Sequence, residues 1–211
     1  MKRFKYYFYQ FTGIVIRLFV RIFLNFRVIT KHKRLLKHTG ILVVANHQSL
    51  LDPPLIGAYL YELYASYFAK AELFKVPVLR TIISLLNAFP VKRGESDIES
   101  IRKAIDTLNN RGVLVMFPEG TRTLDGSIHP FKKGVGYLVE KTKCAVQPVY
   151  MGGFFKVFPK YGRKRLRYPS RIVIGRMLSY EEINARIGTG NRHEEIADIL
   201  FDEVNKLSLE V

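Results

Sequence analysis

The chain has 211 residues, of which 48% are apolar and 25% charged. That length holds one domain with a small appendage and excludes two full catalytic domains; the composition excludes wholesale disorder and any collagen-like or coiled-coil fibre. The net charge of +16 predicts anionic partners (nucleic acid, phosphorylated small molecules or anionic lipid), and the single cysteine, Cys144, excludes an intramolecular disulfide and a multi-cysteine zinc site.

Residues 1–40 contain ten of the 34 Lys and Arg side chains and no acid. Arg17, Arg21 and Arg27 interrupt the apolar stretch, and the longest charge-free run covers only residues 6–16. A membrane crossing needs about 20 apolar residues, so no transmembrane helix is predicted. The segment reads instead as an amphipathic helix at a membrane interface, with its apolar body in lipid and its guanidinium tips near phosphate. Lys31, Lys33, Arg34 and Lys37 add attraction to an anionic leaflet. A helix packed on the protein's own core and a re-entrant helical pair are the competing readings.

Beyond this arm, residues 41–45 form an apolar run after Gly40 and read as a buried strand. Pro53 and Pro54 suit the opening of a helix towards Leu60. Strands are predicted at 64–68, 88–91, 113–117, 145–150 and 171–175. Helical spacing covers 73–87, limited by Pro77, and 134–142 and 193–207. Ser96 and Glu99 have capping-box spacing, and Ile98, Ile101, Ile105 and Leu108 mark one helical face ending near Gly112. Ser179 and Glu182 repeat the capping pattern. Strands alternating with helices predict an α/β fold, one domain with a central mixed or largely parallel sheet. Its boundaries are 1–38 for the N-terminal membrane-associated helical segment and 39–211 for the α/β domain.

Three polar clusters follow strand ends, where open α/β sheets place ligands. The first is Asn46-His-Gln-Ser-Leu-Leu-Asp52. His47 can take a proton near neutral pH, and Asp52 can fix its tautomer if the segment curls from loop to helix. The second is Phe89-Pro-Val-Lys-Arg-Gly94, in which Arg93 offers a planar fork to phosphate and Lys92 a less directional charge. The third is Phe117-Pro-Glu-Gly-Thr-Arg-Thr123. There Glu119 can orient a hydroxyl or a base, Gly120 can expose backbone N–H groups, and Arg122 can bind phosphate or pair with Glu119. Taken singly, each also reads as an ordinary turn or surface charge.

Together and in this order the clusters resemble the motifs of glycerolipid acyltransferases, most closely the bacterial 1-acyl-sn-glycerol-3-phosphate acyltransferases. The family's His-(four residues)-Asp motif matches His47 and Asp52. Its phosphate-binding block matches Arg93, and its acidic glycine block matches Glu119, Gly120 and Arg122. A fourth block around a proline is similar to Val146-Gln-Pro-Val149, with Gln147 where the family is more often apolar.

The resemblance implies transfer of a fatty acyl group from a thioester to the free hydroxyl of lysophosphatidic acid. Acyl-CoA or acyl carrier protein supplies the acyl group, with no tightly bound cofactor and no metal. His47 and Asp52 are then the catalytic pair. Arg93, Lys92 and Arg122 take the acceptor phosphate, while Asn46, Glu119, Gly120 and Thr121 shape the site. Backbone N–H groups near Gly120 or in the His47 turn are the candidate oxyanion donors. Anionic membrane lipids are expected partners, acyl carrier protein is a further one, and nucleic acid is not expected. The expected location is the cytoplasmic face of the cell membrane, peripheral or monotopic. Another lysophospholipid, glycerol-3-phosphate or a lyso-ornithine lipid as acceptor is the alternative within the class. A basic nucleic-acid-binding protein is the alternative outside it. Residues 156–176 carry eight basic side chains and no acid, with Phe154, Phe155, Phe158 and Tyr161 beside them, and read as a second membrane or thioester-donor contact.

Overall fold

The computed structural model describes residues 2–30, 39–60, 64–91 and 97–209. Seven strands form one sheet: β1 (Phe26–Thr30), β2 (Ile41–Ala45), β3 (Ser66–Lys70), β4 (Ala88–Val91), β5 (Val113–Met116), β6 (Ala145–Gly152) and β7 (Ser170–Ile174). Their spatial order is β1-β7-β6-β2-β5-β3-β4. Every neighbouring pair is parallel except β6 and β7. The C-terminal ends of β2, β3, β4, β5 and β6 therefore lie along one edge, and the three clusters each begin there.

β2 is central and apolar throughout, and all five of its residues are buried, as expected of a parallel strand covered on both faces. The alternation of side chains sorts its residues between two cores. Ile41, Val43 and Ala45 face a core shared with α1 (Lys2–Phe23) and α2 (Asp52–Tyr59). Leu42 and Val44 face the other, built with α4 (Ile98–Asn109), α5 (Gly134–Thr142), α7 (Tyr180–Asn184) and α8 (Arg192–Ser208). The remaining helices are a 3-10 helix at Ala71–Lys75, α3 (Pro77–Leu85) and the short α6 (Phe154–Val157).

Several elements depart from the sequence-based expectations. Phe26–Thr30, expected inside a wholly helical segment, is a strand that pairs with β7 in parallel register. Phe26 and Val28 pack on the core while Arg27 is exposed; the alternation is hidden in a run of aromatics and arginines, and the partner strand is remote in sequence. The strand predicted at 64–68 begins at Ser66, because Tyr64 takes a positive φ of 42° that breaks the extended backbone. The helix predicted over 73–87 starts at Pro77. The cap of α4 is Asp97, whose carboxylate accepts from Ser100 N–H at 3.0 Å; Ser96 lies outside the described residues. The buried face of α4 is Ser100, Ala104 and Leu108, whereas Ile98 and Ile101 are exposed. Small side chains at the first two positions let the helix approach the sheet, which turns the isoleucines outward. The capping box at Ser179 and Glu182 forms as expected.

α1 packs on α2; Tyr9, Gly13 and Val20 of the helix and Leu24 just after it are buried, and the Tyr9 hydroxyl bonds that of Tyr67 at 2.8 Å. Its other faces expose Phe4, Tyr7, Phe11, Ile14, Leu18 and Ile22. Among the described residues, no helix is long and apolar enough to cross a membrane.

Candidate active site

At the end of β2 the chain must turn while remaining buried, so its polar groups need partners inside the protein. Asn46 supplies the first pair: its Nδ2 donates to the Met151 carbonyl at 3.0 Å and its Oδ1 accepts from the Met151 N–H at 2.7 Å. This ties the turn to the end of β6. Asp52, at the start of α2, closes the turn from the other side. Its Oδ2 accepts from His47 Nδ1 at 2.8 Å, Gln48 N–H at 2.6 Å and Ser49 N–H at 2.7 Å. The bond to Nδ1 fixes the imidazole tautomer and leaves Nε2 as the basic nitrogen. The His47 ring lies on Phe117, centroids 4.3 Å apart and planes 25° from parallel.

Asp52 is fully buried, and its Oδ1 is buried without a hydrogen bond. Burial accordingly pushes its carboxyl above the usual range, opposed by His47 and by the Ser49 and Gln48 N–H groups.

Glu119 reaches this turn from the loop after β5, where its Oε1 accepts from the His47 N–H at 2.8 Å. Burial pushes Glu119 up to about 7, opposed by the backbone N–H groups of His47 and His129 and reinforced by the charge of Asp52. Its Oε2 is buried without a hydrogen bond. A second strut joins the same two loops: Thr123 N–H donates to the His47 carbonyl at 2.8 Å. Sequence reasoning gave Glu119 a hydroxyl or a base to orient; its partner is the backbone of the histidine, 72 residues earlier.

Gly120 has a φ of +75°, and a β-carbon there would stand 2.8 Å from Lys132 Nζ. The ammonium group thus rests directly over the glycine, and Lys132 N–H donates to the Pro118 carbonyl at 3.1 Å. Lys132 is a cation of this site that sequence reasoning missed. Its one signal was its place in Phe131-Lys-Lys-Gly134, immediately before α5. Arg122 is half-buried and Thr121 exposed on the same loop. Lys92 and Arg93 lie outside the described residues, directly after the C-terminal end of β4. Lys70, at the neighbouring end of β3, is exposed and paired with Glu72 at 3.3 Å.

Four of the backbone N–H groups in the two segments expected to offer oxyanion donors have partners within the protein. The N–H of Gly120 donates to the Phe117 carbonyl at 3.0 Å, that of His47 to Glu119, and those of Gln48 and Ser49 to Asp52. Cys144 is buried, and burial pushes its thiol up to about 11, which suits packing rather than nucleophilic attack. Gln147, the departure in the fourth block, is buried and donates to the Gly175 carbonyl at 2.8 Å, linking β6 to the end of β7. Among the described residues, no group of three or more His, Cys, Asp and Glu side chains is arranged to hold a metal ion.

The acyltransferase family profile matches residues 27–152, a span that holds all three clusters. The chain belongs to the acyltransferase family. Among similar proteins, the chloroplastic 1-acyl-sn-glycerol-3-phosphate acyltransferase BAT2 of Brassica napus is 30% identical over 128 residues, 57% of this chain and 35% of that protein. The 1-acyl-sn-glycerol-3-phosphate acyltransferase of Saccharomyces cerevisiae is 34% identical over 132 residues, 57% of this chain and 42% of that one. The alignments thus span well under half the length of these two relatives. The crystal structure of the 1-acyl-sn-glycerophosphate (LPA) acyltransferase of Thermotoga maritima superposes with a TM-score of 0.73 at 26% identity, covering 98% of this chain and 79% of that one. The mixed α/β sheet of this chain is therefore the architecture of a solved relative.

Proposed function

We propose that this chain transfers a fatty acyl group from a thioester to the sn-2 hydroxyl of 1-acyl-sn-glycerol-3-phosphate, making phosphatidic acid. The observation that carries the reading is the 2.8 Å bond between His47 Nδ1 and Asp52 Oδ2 at the C-terminal end of the central strand of an acyltransferase-family domain.

His47 Nε2 removes the proton of the acceptor hydroxyl as its oxygen attacks the thioester carbonyl carbon. A C–O bond forms and the C–S bond breaks; the proton held on His47 then passes to the departing thiolate. Asp52 holds the imidazole and stabilises the imidazolium that forms. The bound alcohol attacks directly, so no acyl-enzyme is needed. Arg93, Lys92 and Arg122 bind the acceptor phosphate, and Lys132 adds a fourth cation from above Gly120. Asn46, Glu119, Gly120 and Thr121 shape the pocket. Glu119 does so by holding the His47 backbone rather than by touching substrate.

Attachment to one membrane leaflet completes the reading. The outer face of α1 exposes large apolar side chains, and α3, which α1 touches, exposes Val78 and Ile82. Contiguous exposed apolar surface of this kind marks a membrane or partner contact. Arg21 and Arg27, both exposed, and the bases at 31–37 then meet anionic headgroups, and the cytoplasmic leaflet is the side that offers acyl-CoA and acyl carrier protein. The N-terminal helix is the attachment and residues 39–211, with β1, form the catalytic body.

The test is an acylation assay crossing acyl-CoA and acyl carrier protein donors with several lysolipid acceptors, read by product position. The expected product is phosphatidic acid acylated at sn-2. Preference for another lysolipid, or acylation at sn-1, would replace the acceptor assignment.

A further inference from the structure

A groove of about 180 Å3 lies beside the catalytic turn, lined by Thr123, Leu124, Phe155, Pro159, Lys160 and Tyr161. Its walls are bonded to the segment that carries His47. Thr123 N–H donates to the His47 carbonyl. Phe155 N–H donates to Gln48 Oε1 at 3.3 Å, and Gln48 Nε2 donates to the Gly126 carbonyl at 3.0 Å. Ser49 Oγ donates to the Phe158 carbonyl at 3.0 Å. A β-carbon on Gly126, whose φ is +95°, would meet the Phe155 ring at 2.4 Å, so the wall closes tightly at that point. A molecule in the groove is thereby held at a fixed position relative to the imidazole.

The outer wall is cationic in an unusual way. Lys156 Nζ lies 4.8 Å from the Phe155 ring centre, Lys160 Nζ 5.4 Å from that of Tyr161, and Lys164 Nζ 3.9 Å from that of Phe158. Arg163, Arg165 and Arg167 stand exposed in the same stretch. Among the described residues, no carboxylate forms an ion pair with any of these six. The acid closest to the groove in sequence, Asp125, spends its Oδ1 on the Thr123 hydroxyl and on the N–H and hydroxyl of Ser127. Cations resting on aromatic rings keep their charge and their N–H donors available to an anion.

We infer that this groove binds the phosphorylated end of coenzyme A, with Lys160 and Lys164 on its phosphates and Tyr161 against its adenine. The inference rests on the thioester-donor reading above and assigns that donor its own subsite, apart from the acceptor phosphate site. Charge complementarity selects this occupant. Coenzyme A places several phosphates at one end of a thin arm and its thiol at the other, and the groove has Lys160 and Tyr161 in its lining together with Thr123, whose N–H is bonded to the His47 carbonyl. The acidic face of a carrier protein needs a broad surface rather than a groove of about 180 Å3.

The deciding experiment titrates free coenzyme A, and dephospho-coenzyme A, into the full chain in detergent micelles by calorimetry. The variants are Lys160→Ala combined with Lys164→Ala, and separately Tyr161→Ala; all three side chains lie on the surface. The lysine pair should weaken coenzyme A binding roughly tenfold, the sum of two exposed charge contacts. It should weaken dephospho-coenzyme A binding by less. Binding is read without turnover, so failure of the acyltransferase reading would leave Lys160-dependent affinity intact. Unchanged coenzyme A affinity in all variants overturns the inference. So does a defect confined to phosphatidylglycerol vesicles, which makes the wall a lipid contact, or one confined to acyl carrier protein as donor, which makes it a protein-docking surface.

Discussion

The turn at residues 46–52 and the helix α1 both invert the ordinary rule of polar groups outside and apolar groups inside, and they do so with different partners. The turn buries Asn46, Gln48, Ser49 and Asp52 at 1% exposure or less. It remains stable because Met151, Gly126, Phe158, Glu119 and its own backbone supply hydrogen bonds. Leaving one such group unpaired costs about 1–3 kcal/mol. In α1, Tyr9 and Val20 are in the core, while Phe4, Tyr7, Phe11 and Leu18 are each about three-fifths exposed. The turn is thus completed from within and shaped for chemistry. The outer face of α1 is completed from without, which in the proposed function means lipid.

The largest effect that separates the two regions should come from Asp52→Asn. It keeps the shape of the side chain but disturbs the hydrogen bond that holds the His47 tautomer. Turnover should fall at least about 10²-fold, while vesicle binding stays as it was. A matching loss of vesicle binding, measured by flotation, would show that the regions are not separable.

Arg93→Ala should act chiefly on the acceptor. Loss of a charge-assisted contact of about 1.5–3 kcal/mol corresponds to a rise of roughly tenfold or more in the KM for lysophosphatidic acid. Arg93→Lys should restore charge without the fork and recover only part of it. Kinetics with varied acceptor at saturating donor decide the matter; a fall in kcat with unchanged acceptor saturation would contradict the assignment.

For α1, substitution is cleaner than truncation, because deletion through residue 30 also removes β1 from the sheet. Leu18→Ser on the exposed face should lower membrane partition about tenfold, in keeping with about 1.5–3 kcal/mol for burial of a leucine side chain. Activity on detergent-dispersed acceptor should fall less. High salt should weaken membrane attachment without abolishing it, since apolar insertion is not screened; complete release by salt alone would show that charge carries the attachment.

The smallest effect concerns Glu119, raised from 4.5 to about 7 chiefly by burial. A raised carboxyl binds its proton more tightly in the folded state. Its contribution to stability is therefore full below pH 4.5 and is lost as pH rises through about 7. Glu119→Gln keeps an acceptor for the His47 N–H and removes the titration. The variant's Tm should change less than that of the parent between these pH values; parallel Tm profiles would refute the assigned titration.

The same contrast explains what could be read from the sequence. β2 was legible because an unbroken apolar run sits between Gly40 and Asn46, and the His47–Asp52 pair because its spacing fits one turn entering a helix. β1 was not, because its pairing with β7 joins residues about 140 apart and its alternation is masked by neighbouring arginines. The bond from Glu119 to the His47 backbone and the seat of Lys132 over Gly120 were equally hidden. Each depends on two loops meeting at the sheet edge, which local spacing does not encode. The face of α4 was legible at Ile105 and Leu108, which pack on the core, and misread at Ile98 and Ile101, because bulky isoleucines outweigh Ser100 and Ala104 in any apolar pattern although close packing favours the small residues.

In the proposed function His47, held by Asp52, removes the proton of a lysophosphatidic acid hydroxyl. The most direct measurement is phosphatidic acid formation by purified full-length protein and its His47→Ala variant, with acyl-CoA and 1-acyl-sn-glycerol-3-phosphate in mixed micelles. The parent should form the sn-2 product, and the variant should be slower by at least about 10²-fold with an unchanged circular dichroism spectrum. A folded His47→Ala protein with near-parental turnover would contradict the account.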